Sequence, residues 1–189
     1  MTLVVGAIDR EHGSIHLGAD SKITWEGEEG RTRRIYTEPA LKIVLLEDDL
    51  AVGYAGNGHE HLASAVASMR GRTIDSVLTS LNSIGGGSFV VAQRGSARLW
   101  SVDDRNGIED RTEIGRAWAG DREAYSKFQA HFDDFVGASV EFRLQTSLQR
   151  VIHLVQPAAV GGYAIFASAG QAGFRFRPGT SQLFPATVG

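Results

Sequence analysis

Apolar and polar positions change their spacing along the chain in blocks. Residues 2–9 are dense in β-branched and small apolar side chains, Glu11-His12-Gly13 turns, and residues 14–21 alternate again, which predicts a β-hairpin. Residues 22–38 are polar, charged and spotted with glycine, so they read as an exposed loop. A second hairpin is expected from residues 41–46 and 50–55 about a Glu47-Asp48-Asp49 turn. Past Gly58 the period lengthens: Leu62, Val66 and Met69, then Ile74, Val77, Leu78 and Leu81, recur at helical spacing and predict two helices separated near Gly71. Residues 88–93 and 97–102 form a third expected hairpin, and residues 111–119 a further strand. Asp121 is placed to cap a helix whose apolar face is Tyr125, Phe128 and Phe132. A second helical stripe runs through Val140, Leu144, Leu148, Val151 and Val155. Residues 161–168 and 173–176 close the chain as a last hairpin, followed by a loose tail from about residue 178.

Blocks of hairpin strands alternating with paired helices favour antiparallel sheets with helices layered on them over βαβ units. The expected class is α+β: a four-layer αββα sandwich, with two antiparallel sheets face to face and helices outside. No linker or internal repeat divides the chain, so residues 1–189 read as a single domain of a length that supports its own core.

Composition narrows the function. The chain has no cysteine, which excludes disulfides and thiolate metal or redox sites. Its 19 Lys and Arg against 22 Asp and Glu leave a formal charge of −3, with no cationic field for nucleic acid or an anionic membrane. The first residues lack the pattern of a signal peptide, and no apolar run approaches bilayer length, so the expectation is a soluble, cytoplasmic protein.

Common motifs are missing: no phosphate-binding P-loop, nucleophile elbow or zinc-binding HExxH helix occurs. His59-Glu60-His61 reads as a polar helix start, because residues two apart do not share a helix face. No metal or cofactor is expected. Thr2 is the informative residue. Removal of Met1 would give one residue both a hydroxyl nucleophile and an α-amine of pKa ~7.7–8.0, able to take the hydroxyl proton near neutral pH.

The segment Leu17-Gly18-Ala19-Asp20-Ser21-Lys22, with Leu41-Lys42-Ile43-Val44 and Tyr54-Ala55-Gly56, resembles the proteasome β-subunit family and its bacterial HslV-type relatives. In that family the second strand ends in an Ala-Ala-Asp-Ser-Arg-like or Gly-Asp-Gly-like motif. A Lys opens the third strand, and a Gly after the fourth lies beside the nucleophile. Asp20, Lys42 and Gly56 match those positions, with the family's usual 14-residue step from Lys42 to Gly56. The resemblance implies the N-terminal nucleophile (Ntn) hydrolase fold and a threonine-type endopeptidase. Thr2 would be the nucleophile, Lys42 would supply positive charge beneath it, Asp20 would pair with Lys42, and the Gly56 N–H would face the oxyanion. It also implies peptide or unfolded-protein substrates, a homo-oligomeric ring and an ATP-dependent unfoldase as partner.

Two family features are replaced here. A Gly-Ser-Gly-like turn becomes Trp118-Ala119-Gly120, and an Asp and Ser before a Gly-Gly pair are missing from residues 156–162; Ser168 and Asp121 are the candidate substitutes. Retention of Met1 would block the amine. The alternatives are therefore an inactive subunit or binding module of the same fold, or an Ntn amidase acting on a small amide.

Overall fold

The computed structural model describes residues 2–26, 32–35, 40–155 and 160–177. Met1, the tail from residue 178 and most of the 156–162 stretch lie outside the described residues. One sheet holds five strands in the order β10-β1-β2-β11-β12: β1 (Leu3–Asp9), β2 (Ser14–Asp20), β10 (Arg116–Gly120), β11 (Ala164–Gly170) and β12 (Gly173–Phe176). The other runs β5-β6-β7-β8-β9: β5 (Ile43–Glu47), β6 (Leu50–Gly56), β7 (Gly87–Gln93), β8 (Arg98–Asp103) and β9 (Gly107–Asp110). Every pairing is antiparallel.

Strand β1 shows why both faces must be covered. Side chains alternate across a strand. Val4 and Ile8 enter the cluster between the sheets with Ile15, Leu17, Val90 and Leu99. Leu3, Val5 and Ala7 join Phe128, Phe132, Leu144 and Leu148 of α3 (Arg122–Asp134) and α4 (Val140–Arg150). On the second sheet, Val52, Tyr54, Phe89 and Trp100 meet Leu62, Val66, Val77 and Leu81 of α1 (His59–Ala67) and α2 (Ile74–Asn82). The α+β sandwich expected from the pattern is present, with two helices outside each sheet. Gly6 lets the sheets close, since a Cβ there would stand 2.9 Å from a Val90 methyl carbon.

Three expectations change. The stretch expected as an exposed loop contains a hairpin, β3 (Ile23–Glu26) paired with β4 (Thr32–Ile35), and Lys22 is buried. The strand expected over residues 111–119 is only β10, from Arg116, and an unexpected strand, β9, precedes it, because the Asp103 carboxylate accepts from the Arg105 and Asn106 N–H at 2.8 and 2.7 Å and closes a β8–β9 hairpin. Finally, the α4 stripe does not stay α-helical: it passes into a π-helical turn at Val151–Val155. Among the described residues no helix is long and apolar enough to cross a membrane.

Candidate active site

The start of β1 and the ends of β2, β6 and β10 meet at one end of the sandwich. Register places them: Leu3 faces Gly120, and Val4 faces Ala19, so Asp20 follows directly beside the start of β1. The Thr2 carbonyl accepts from the Asp121 N–H at 2.8 Å. Gly120 has φ +105°, and a Cβ there would overlap the Thr2 carbonyl oxygen, so only glycine fits between β10 and Thr2.

Asp20 is fully buried and surrounded by donors. Its Oδ1 accepts from the Leu3 N–H at 3.0 Å and from Lys42 Nζ at 3.1 Å; its Oδ2 accepts from the Lys22 and Gly161 N–H at 3.3 and 3.1 Å. These four donors satisfy the carboxylate oxygens in place of water.

Lys42 immediately precedes β5 and is only 4% exposed. Its ammonium has three protons and three acceptors: Thr2 Oγ1, Asp20 Oδ1 and, at 2.6 Å, the Lys22 carbonyl. Burial pulls its pKa below the ordinary lysine value, and the Asp20 carboxylate pulls the other way. Two of the three partners can only accept. The Thr2 hydroxyl is the one that can also donate, so it alone can exchange a proton with a Lys42 amine.

The fourth expected residue, Gly56, ends β6 opposite Gly87 and joins no hydrogen bond of this cluster. The Tyr54 N–H donates to the Lys42 carbonyl at 3.0 Å, and backbone alternation aims the Gly56 N–H to the same side, past the start of β5. Thr2, Asp20 and Lys42 are thus in hydrogen-bonded contact, with Gly56 on the adjoining strand end.

Of the two candidate substitutes for the missing family hydroxyl, Asp121 is adjacent to Thr2, but its carboxylate caps α3 by accepting from the Ala124 N–H at 2.8 Å. Ser168 is elsewhere, paired across strands with His16. Sequence reasoning also missed the backbone donors and acceptors of Leu3, Lys22, Asp121 and Gly161, which carry no side-chain signal. It missed a Tyr54–His59 clamp as well. The Tyr54 hydroxyl gives its one proton to the Leu41 carbonyl at 2.7 Å, so it accepts from His59 Nδ1 at 2.9 Å and fixes that tautomer. Burial, aided by the Lys42 cation, holds the His59 pKa below its ordinary value.

No family model and no curated protein matches the sequence. Among solved structures, the chain is similar to eukaryotic HslV from Trypanosoma brucei, with a TM-score of 0.65 over 88% of this chain and 98% of that one, at 12% identity. The fold is that of HslV. At this identity the likeness to HslV extends to the architecture alone.

Proposed function

We propose that the chain is a proteasome-like threonine peptidase that cleaves peptide bonds with Thr2 as nucleophile. The observation that carries the reading is the Lys42 ammonium on Thr2 Oγ1, itself buried and paired with Asp20. The HslV fold supports it at the level of architecture.

Removal of Met1 frees the Thr2 α-amine. Thr2 Oγ1 then attacks the substrate carbonyl carbon while its proton passes to the amine, directly or through a water. Lys42 stabilises the alkoxide-like oxygen and disfavours protonation of the amine; Asp20 fixes Lys42. The Gly56 N–H donates to the oxyanion, a contribution typically worth ~2.7–4 kcal/mol for one donor. Collapse expels the leaving amine, which takes the proton, and water hydrolyses the resulting ester. In the same reading the chain assembles into a homo-oligomeric ring in the cytoplasm and receives unfolded chains from an ATP-dependent unfoldase.

Thr2→Ala tests this reading: turnover of a peptide substrate falls to background while the circular dichroism spectrum and assembly state stay as in the parent. Residual turnover in Thr2→Ala contradicts it. A non-catalytic subunit of this fold is the second reading. It is favoured by the run Trp118-Ala119-Gly120, which lacks the hydroxyl of the family's Gly-Ser-Gly-like turn, and by the Asp121 carboxylate, which caps α3 instead.

A further inference from the structure

At the other end of β2 from Asp20, six residues of extended chain or about 20 Å away, a separate polar cleft opens on the helix side of the sheet. It encloses about 760 Å³, and Ser14, His16, Glu141, Ser168, Arg175 and Phe176 are among its walls. His16 is buried, with the Ser14 and Ser168 hydroxyls 3.0 and 2.9 Å from its two ring nitrogens.

The charges of the cleft sort into pairs with one remainder. Asp9 accepts from the His12 N–H at 3.1 Å and shares a hydrogen bond with the His12 ring at 3.0 Å. Glu141 accepts from Arg177 at 2.7 Å and from Gln145 at 3.2 Å. Arg175 faces Ser168 across the β11–β12 pair, and among the described residues its side chain has neither a hydrogen bond nor an ion pair. The start of α4 also borders the cleft through Ser139 and Glu141, adding the positive end of an eleven-residue helix.

The serines add a donor. A neutral imidazole offers one N–H and one lone pair. One serine must therefore accept from the ring, and its own proton is free; the other donates to the ring. Burial holds the His16 pKa below its ordinary value, with Glu141 and Asp9 opposing and Arg177 and His12 reinforcing, so the neutral ring is the form present near neutral pH.

We propose that this cleft is a second binding site, for a carboxylate-bearing organic ligand held by the Arg175 guanidinium and a serine hydroxyl beside His16. Arg175 presents the planar donor fork that suits a carboxylate.

Titration of the full-length chain with benzoate, with benzamide as the uncharged isostere, tests this by calorimetry and by backbone amide NMR. Benzoate is expected to bind saturably and to shift the Ser14, His16 and Ser168 resonances, while benzamide does neither. Arg175→Ala is expected to weaken benzoate at least about tenfold, the loss of one charge-assisted contact. Arg175 is exposed, and unchanged resonances elsewhere in that variant show that it folds. Thr2→Ala is expected to bind benzoate as the parent does, which separates this site from the peptidase reading. Equal binding of benzamide, no saturable benzoate binding, or an Arg175→Ala variant that binds like the parent overturns the proposal.

Discussion

At the scale of single residues, Lys42 and Asp20 determine how Thr2 is presented, and their burial makes them costly to separate. Lys42→Ala leaves Asp20 inside with its three backbone N–H donors but no cation. Breaking a buried pair this way costs about 3 kcal/mol at the low end of the known range. For a chain of this size that corresponds to a fall in Tm of roughly 6–12 °C, measurable by calorimetry, alongside loss of peptidase activity. An unchanged Tm would show that Lys42 does not compensate Asp20. His16 gives a pH prediction of definite sign. Its folded pKa is depressed, so as pH falls below about 6.5 the unfolded state takes the proton first and stability declines; above that value the His16 contribution is constant. Urea unfolding from pH 8 to 5 is expected to show this slope, and His16→Gln to flatten it. Asp9, His12, Glu141 and Arg177 face His16 and are left in place by that comparison. Asp20 and Lys42 were legible because the residues around them resemble a family motif, although the steps from Thr2 to Asp20 and from Asp20 to Lys42 are longer than the family's, and Thr2 was legible because it follows Met1. The N–H groups of Leu3, Lys22 and Gly161 that hold Asp20 were not, since every residue but proline has one and only the fold decides which of them meet.

At the scale of elements, the β10–α3 junction places Thr2 from behind. Gly120 brings the Asp121 N–H to the Thr2 carbonyl, and Asp121 then starts α3. Gly120→Ala is expected to be destabilising and to abolish reaction of Thr2 with an electrophilic probe, because its Cβ cannot share space with the Thr2 carbonyl oxygen. Asp121→Ala is expected to be milder. It removes one cap, about 1 kcal/mol, and keeps the N–H that Thr2 uses. Equal effects of the two on probe labelling would contradict this division. The helices were legible from their apolar stripes, and so was Asp121 as a cap. The β8–β9 hairpin was missed because β9 is four residues with a one-sided pattern and its turn is closed by the Asp103 side chain. The β3–β4 hairpin was missed because the stretch reads as charged and glycine-rich, and strand pairing there is made by the backbone.

At the scale of the whole molecule, two sheets buried on both faces account for central strands such as β1 and β6 that are apolar at successive positions. That arrangement carries strand ends from both sheets to one rim, where Thr2, Asp20 and Lys42 meet, and leaves the Arg175 cleft at the opposite end of β2. Native mass spectrometry is expected to give a closed oligomer with a mass that is a whole multiple of the 20.3 kDa chain; a monomer at micromolar concentration would contradict the ring. The most direct test of the central claim is intact-mass analysis of the purified chain, before and after treatment with a β-lactone or epoxyketone. The expected result is a chain shorter by one Met that gains a single adduct mapped to Thr2. A chain that keeps Met1, or a processed chain that stays unlabelled, would contradict it.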